Sequence, residues 1–349
     1  MLGSILGDIV GSRFEFMSTQ EKEVKIFHPA CSWTDDSLLT YAVSKVCSYI
    51  IDNNILDEDK IELLFVNEFK QIVKAFPMAG WGKSFQSWSK ETNYSPNNSA
   101  ANGCLMRVSP IVLYFDDLET MKKICKICTK VTHNDPESYR AVNTLIEILY
   151  YLKNEVINKS ILIDEVASIE HKKNHIKEIM IKNGYEIKSV AYYNEVAGYW
   201  GLAKDTLPRS ISAYLESKDF EETMKNILFI GSDTDTTATI AGSMTEMTYS
   251  LNADTLNNVY RYYDHISFPI IKEIIKPYLL EENKQLLNNL YNKGSQDKLI
   301  EIMNHTPIDP TAQWDPLNMP SDDDYYKLKP GFSWKKVKVK IHNLLNFRW

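Results

Sequence analysis

Residues 34–50 read TDDSLLTYAVSKVCSYI. From Leu38 to Ile50 the apolar residues come in pairs every four positions, which is the single stripe of an amphipathic helix. The same spacing recurs in five further segments: 61–73, 141–152, 220–228, 240–251 and 274–291. The alternation typical of a strand is convincing only at 337–341. We therefore predict an all-α fold, a globular bundle of helices.

The composition is that of an ordinary globular protein. The 349 residues are 44% hydrophobic and 24% charged, which excludes disordered and collagen-like chains. A net charge of −7 argues against a general nucleic-acid binder, since phosphate contact needs a basic face. No stretch approaches the roughly 20 apolar residues of a membrane span. Five cysteines at irregular spacing indicate a reducing compartment, so we expect a cytoplasmic protein.

Two acidic clusters stand directly before predicted helices, at 34–36 and at 233–236. Helix capping is one interpretation, because Ser, Thr and Asp side chains accept hydrogen bonds from the first turn. A cap requires one such residue, however, and the surplus carboxylates repel one another unless a cation lies between them. Carboxylate and hydroxyl oxygens suit Mg²⁺, Mn²⁺ or Ca²⁺. An EF-hand is excluded by spacing, since a loop starting at Asp233 has Ala238 at position six and Met244 at position twelve.

Five sequence blocks follow one another along the chain: Gly7–Phe16, Thr34–Ser37, Asn102–Pro110, Thr132–Glu137 and Gly231–Thr236. In this order they resemble the motifs of the ADP-ribosylglycohydrolases, which remove ADP-ribose from modified targets. The resemblance covers residues 1 to about 250 and implies a compact orthogonal helical bundle. We therefore expect a catalytic domain over residues 1–251. Residues 252–349 would form a C-terminal extension of unknown role, packed on that domain or binding a partner.

The resemblance also implies a metal site. Two divalent cations, Mg²⁺ or Mn²⁺, would be held by six residues, namely Thr34, Asp35, Asp36, Asp233, Asp235 and Thr236. The catalytic carboxylates would be Glu15 and Asp36. Glu15 falls on the family's N-terminal glutamate, which is either a metal partner or a base that orients water.

The resemblance implies a substrate site beside the metals. Asn102 and Gly103 would line the nucleotide pocket, with a contribution from His133. The backbone near Gly231 and Ser232, at a helix start, suits an anion. From the residues alone, His133 could equally be structural. Arg107 is open to two interpretations, a phosphate contact or a structural salt bridge, and the aromatic residues of segment 81–88 are either core or an adenine-stacking surface.

The implied function is metal-dependent hydrolysis of the glycosidic bond between ADP-ribose and a modified protein side chain, with arginine as the first guess. The bond would be N- or O-glycosidic, and the partners would be ADP-ribosylated protein or ADP-ribose. A second hypothesis is an immunity protein that blocks an ADP-ribosylating toxin through its C-terminal extension, with or without hydrolysis. A metal-dependent phosphoesterase is a third hypothesis, distinguished by whether ADP-ribose leaves intact.

Overall fold

The computed structural model describes residues 2–17, 19, 24–28, 30–157, 165–196, 198, 201–249, 251 and 255. The predicted helix at 274–291, the predicted strand at 337–341 and all of the extension at 252–349 except residue 255 lie outside the described residues. The described residues contain twelve α-helices and no strand, apart from isolated bridges. The helices are α1 (Leu2–Ser12), α2 (Asp35–Asp52), α3 (Glu58–Ala75), α4 (Lys83–Ser89), α5 (Ile111–Tyr114), α6 (Leu118–Lys130), α7 (Pro136–Ile157), α8 (Glu165–Lys182), α9 (Val190–Glu195), α10 (Ala203–Leu215), α11 (Phe220–Ile230) and α12 (Thr234–Thr248). The all-α prediction is confirmed.

The central element is α12, whose every residue is buried. It packs against α1, α7, α10 and α11. The apolar stripe of the sequence placed this helix at 240–251, but it begins earlier, at Thr234. The acidic cluster at 233–236 therefore forms the N-terminus of a fully enclosed helix, which brings its side chains into the interior.

Among the described helices, the closest pair is α1 and α12. Gly3, Gly7 and Gly11 recur every four residues and so share one face of α1. A Cβ atom built on any of the three would lie only 2.1–2.3 Å from a backbone carbonyl oxygen of α12. The two backbones are therefore in direct contact, which only glycine permits along this face.

Both ends of this helix pair are pinned by hydrogen bonds. The Gly3 amide donates to Glu246 Oε2 at 2.9 Å, and Thr234 Oγ1 donates to the Gly11 carbonyl at 2.7 Å. The last turn of α1 is thus fixed beside the first turn of α12. Asp8, on α1, is carried to the acidic start of α12 as a consequence.

The aromatic residues of segment 81–88 belong to the core. Trp81 and Trp88 are buried, and Phe85 lies between them with ring centroids 5.5 and 5.6 Å away. Both indole N–H groups donate to backbone carbonyls, those of Phe76 and Ser95. Of the two interpretations of these rings, the structure favours the core. No helix in the described ranges has both the length and the apolar character needed to cross a bilayer.

Candidate metal and substrate site

Three buried carboxylates meet where α1, α2 and α12 converge. Asp8, Asp36 and Asp235 each offer one oxygen, and these oxygens lie within 4.8 Å of one another. Asp36 and Asp235 stand in the first turns of α2 and α12. The structure thus brings the two acidic clusters of the sequence to one place, together with an acid that the sequence analysis did not assign to the site.

Capping explains one cluster in part and the other not at all. Thr34 is the N-cap of α2, and its hydroxyl accepts from the Asp36 amide at 3.3 Å. Asp233 occupies the N-cap position of α12, but its side chain makes no capping hydrogen bond. Asp233 Oδ2 instead accepts from Asn102 Nδ2 at 3.0 Å. The Asp233 carboxylate is therefore held by the neighbouring loop rather than by its own helix.

Asp8 organises the start of α2. Its Oδ2 accepts from the Thr34 amide at 2.8 Å, the Ser37 amide at 3.0 Å and the Ser37 hydroxyl, while Oδ1 accepts from Thr34 Oγ1 at 2.7 Å. Four donors thus converge on one carboxylate. One sequence signal could have revealed this role of Asp8: it is an acid inside an otherwise apolar and glycine-rich helix. A carboxylate buried in such a helix requires a dedicated set of hydrogen-bond donors.

Two threonines link the acidic clusters. Thr236 Oγ1 lies 3.5 Å from Asp36 Oδ2, and Thr34 Oγ1 lies 3.4 Å from the same oxygen. The Thr236 amide donates to Asp235 Oδ1 at 2.8 Å. The other oxygen of Asp36, Oδ1, is buried and has no hydrogen-bond partner among the described residues. A buried carboxylate oxygen without a donor is a natural ligand for a cation.

Burial and mutual repulsion act on these acids together. Burial raises the pKa of Asp36 well above its usual value, and the nearby carboxylates, Asp8 foremost, raise it further. Burial likewise raises the pKa of Asp235, with Glu15 as the largest of its charged neighbours. Burial also raises the pKa of Asp8, although its hydrogen bonds oppose the shift. A bound cation would relieve this repulsion.

The remaining predicted acids lie at the edge of the cluster. Asp35 is half-buried, and a Cβ at Gly80 would lie 3.4 Å from its Oδ1, so the loop before α4 borders the site. Glu15 is also half-buried, just beyond the end of α1. The next residue, Phe16, has a φ of 64° and donates its amide to the Ser232 carbonyl at 2.6 Å. This hydrogen bond ties the Glu15 segment to the turn that leads into α12.

That turn is built from Gly231 and Ser232, both with positive φ. Gly231 has φ 76° and ψ −156°, a conformation essentially confined to glycine. Its amide donates to the Ile227 carbonyl at 2.9 Å and so caps α11. The Gly231 N–H therefore already has an acceptor within the chain, and the anion contact expected at this turn stays a prediction. The turn's observed role is to present Asp233 to the site.

The predicted nucleotide-pocket residues lie on the other side of Asp233. Asn102 begins a 3-10 turn, and its Nδ2 donates to Thr206 Oγ1 as well as to Asp233, each at 3.0 Å. Gly103 is half-buried, and a Cβ there would lie 3.5 Å from Nε2 of the buried His133. Asp233, Asn102, Gly103 and His133 thus form a continuous row leading away from the carboxylates.

Arg107 matches neither of its two interpretations. Its side chain is fully buried, so it does not reach a phosphate in solution. Nη2 donates to the Cys128 carbonyl at 3.1 Å and to Thr132 Oγ1 at 2.7 Å, and Cζ lies 4.5 Å from the centroid of the Phe69 ring. Within the described ranges no carboxylate forms an ion pair with it. Its partners are a carbonyl, a hydroxyl and an aromatic face.

The structure combines an all-α fold with buried carboxylates at two converging helix starts, and carboxylate oxygens are ligands that suit a divalent cation. The ADP-ribosylglycohydrolase family model matches residues 1–253, and the chain belongs to this family. It is therefore a hydrolase of the ADP-ribosylglycohydrolase type. Members typically contain a divalent-metal site, and this structure has a buried cluster of three carboxylates, Asp8, Asp36 and Asp235.

Two relatives extend this result. An uncharacterised protein of Archaeoglobus fulgidus is 26% identical over 267 residues, which cover 70% of this chain and 84% of the relative. A solved structure described as an ADP-ribosylglycohydrolase-related protein complex has a TM-score of 0.53 at 18% identity, covering 79% of this chain and 94% of its own. At that identity the structural likeness supports the fold, and the family model supports the class of reaction.

Proposed function

We propose that the chain hydrolyses the glycosidic bond between ADP-ribose and a modified protein side chain, with arginine as the first linkage to test. The observation that carries the proposal is the cluster of three buried carboxylates, Asp8, Asp36 and Asp235, in which one oxygen of Asp36 has no hydrogen-bond partner among the described residues. Such a centre is costly unless a cation completes it. A toxin-blocking role depends on the extension at 252–349, outside the described residues, and stays a prediction.

The donor set fits two divalent cations of the Mg²⁺ or Mn²⁺ type. Carboxylate and hydroxyl oxygens are the hard ligands these ions prefer, and no thiol or imidazole is present in the described cluster. The residues that would hold the cations are Thr34, Asp35, Asp36, Asp233, Asp235 and Thr236. Asp8 would stand behind them, because its oxygens are already engaged by Thr34 and Ser37.

The chemistry supplied by the cations, when bound, is a grip on ribose hydroxyls and a lowered pKa of the attacking water. Cleavage replaces the bond from the anomeric carbon to the target's nitrogen or oxygen with a bond to the water oxygen. Positive charge develops on the sugar meanwhile, and the surrounding carboxylates favour it. Glu15, half-buried beside Asp235, is the group proposed to accept the water's proton, and the leaving group takes up a proton in turn.

Several residues would orient the substrate rather than react with it. Asn102 would keep Asp233 in place through its amide, and the row formed by Gly103 and His133 would receive the nucleotide part of ADP-ribose. The loop at Gly80, next to Asp35, would border the site. Gly231 and Ser232 would contribute by fixing the start of α12.

The test is product analysis with the full chain. Substrates carrying ADP-ribose on arginine, serine or a nucleobase are incubated with Mg²⁺ or Mn²⁺, and products are identified by mass spectrometry. We expect intact ADP-ribose as a product from at least one substrate. This product should no longer form in excess EDTA or with the D36N and D235N variants. The matched control is D59N, which removes an exposed carboxylate from the first turn of α3. Full activity with EDTA or in D36N would refute the metal mechanism, and release of AMP instead of ADP-ribose would indicate a phosphoesterase.

A further inference from the structure

A chain of hydrogen bonds runs from Arg107 to His133 through Thr132. Arg107 Nη2 donates to Thr132 Oγ1 at 2.7 Å, and Thr132 Oγ1 lies 2.8 Å from His133 Nδ1. All three side chains are at least 95% buried, with exposed fractions of 0%, 1% and 5%. Water therefore cannot compete for these hydrogen bonds, and each proton along the chain of hydrogen bonds has a fixed position.

The direction of each hydrogen bond follows from the donors available. A guanidinium only donates, so the Thr132 oxygen accepts from Arg107. The one remaining partner of that hydroxyl within the described residues is His133 Nδ1. The single hydroxyl proton therefore points to Nδ1, which must be unprotonated to accept it. The opposite tautomer would leave a buried hydroxyl proton with no acceptor.

The doubly protonated ring is disfavoured for a separate reason. Burial lowers the pKa of His133 well below its usual value, and the positive charge of Arg107 lowers it further. No carboxylate within the described part of the chain hydrogen-bonds to the ring. His133 thus remains neutral near pH 7, with its one proton on Nε2.

We propose that Arg107 and Thr132 are positioning residues that hold His133 as the neutral Nε2–H tautomer, so that the ring presents a fixed donor beside Gly103. Nε2 has no hydrogen-bond partner among the described residues. A Cβ at Gly103 would lie 3.5 Å from Nε2, so this donor lies beside a position that has no side chain to cover it or to accept its hydrogen bond. The inference rests on the proposed function in one respect: the acceptor would be an oxygen of ADP-ribose.

Nitrogen NMR reads the tautomer without any hydrolysis. Histidine is labelled selectively with ¹⁵N in the full chain, and the H133Q variant identifies the His133 signals among the seven histidines. We expect a protonated Nε2 and an unprotonated Nδ1 in the wild type. T132S keeps the hydroxyl and should keep this pattern, whereas T132V removes it and should lose the single fixed tautomer.

The matched control is Thr129, one turn earlier in α6. Its hydroxyl is also buried but has no partner among the described residues. T129V therefore makes the same chemical change without altering the chain of hydrogen bonds from Arg107 to His133. T129V should therefore retain the wild-type tautomer. Far-UV circular dichroism checks that each variant is folded. A proton on Nδ1 in the wild type, or an unchanged tautomer in folded T132V, would overturn the proposal.

Binding of ADP-ribose separates this inference from the proposed function. Titration in Mg²⁺, which does not broaden the spectra, should shift the His133 Nε2–H signal in the wild type. T132V should weaken binding about tenfold, the value of one hydrogen bond, with T132S and T129V close to wild type. Failure of the wild type to bind ADP-ribose would count against the proposed function while the tautomer measurement still decides the positioning role. Binding that leaves the Nε2–H signal unmoved would overturn the assignment of its acceptor.

Discussion

Replacing Gly7 with alanine tests the backbone contact on which the site is built. A Cβ on Gly7 would lie 2.1 Å from the Ala238 carbonyl oxygen, whereas ordinary contact begins near 3.4 Å. The two backbones must therefore separate by about 1.3 Å, the difference between these distances. Gly3 and Gly11 meet α12 just as closely, so α1 cannot pivot around Gly7 without moving along its whole length.

The size of the effect follows from three contributions. Overpacking a close-packed interior costs about 1–3 kcal/mol, and a contact this short belongs at the upper end. A gap of up to about 1 Å at the neighbouring contacts forfeits a quarter to a half of their dispersion energy. Alanine in a helix returns about 1 kcal/mol relative to glycine. We expect G7A to lower the free energy of unfolding by at least about 2 kcal/mol.

Guanidinium unfolding followed by far-UV circular dichroism measures this change. The matched control is G82A, since a Cβ at Gly82 meets nothing within 4 Å and its φ of −57° suits alanine. There the entropy gained by replacing glycine offsets the weaker helix cap, so the change should be close to zero. G7A should also weaken Mn²⁺ binding, because Asp8 moves with α1. A free energy of unfolding for G7A within about 0.5 kcal/mol of wild type would refute the close approach of α1 and α12.

The other predictions concern the buried ionisable groups. In EDTA, D36N should unfold at a higher temperature than wild type because it removes a repelled charge, and it should lose the stabilisation by Mn²⁺; equal Mn²⁺ stabilisation would contradict the site. D8N should instead lower the melting temperature in EDTA, since its amide brings N–H donors to a position that already receives four. The depressed pKa of His133 means that stability is lost as pH falls below the unfolded pKa of about 6.5, by up to about 1.4 kcal/mol per pH unit, and H133Q should show a smaller slope between pH 7 and 5 in denaturant titrations. Burial raises the pKa of Cys31 to about 11 and of Cys104 to about 12, so a thiol reagent at pH 8 should label neither before unfolding; rapid labelling of the native chain would show that these thiols are exposed.

The sequence predicted those helices that present one apolar face. In α2 the stripe from Leu38 to Ile50 is visible because the opposite face is polar, and the structure confirms the helix over Asp35–Asp52. In contrast, α1 is buried on all sides, so its residues show no stripe. Considered within this segment alone, its glycines are typical of a loop. Their spacing has meaning only once a second helix lies against them.

The parts of the site that could be predicted from the sequence are those where a segment holds more acidic residues than its own helix needs. More acids precede α2 and α12 than capping requires, and this surplus pointed to a cation between them. Asp8 has no such signal, because its donors, Thr34 and Ser37, come from another element. Arg107 was missed for a similar reason. A lone arginine in a sequence suggests a carboxylate or phosphate partner. The residues around Arg107 in the sequence do not show that its partners are instead a carbonyl, a hydroxyl and the Phe69 ring.

The acids at the centre of the site divide into two kinds by their hydrogen bonds. Asp8 is saturated with donors, so its charge is compensated by the protein and it can hold the start of α2 in place. Asp36 retains a buried oxygen with no donor among the described residues, so a cation bound there would compensate its charge. The hydrogen bonds from Thr34 and Ser37 to Asp8 hold the start of α2 against α1, and α1 is in turn fixed against α12, so Asp36 cannot relax away from the repulsion. In a site organised in this way, the free energy of cation binding would include the relief of a repulsion that the fold maintains.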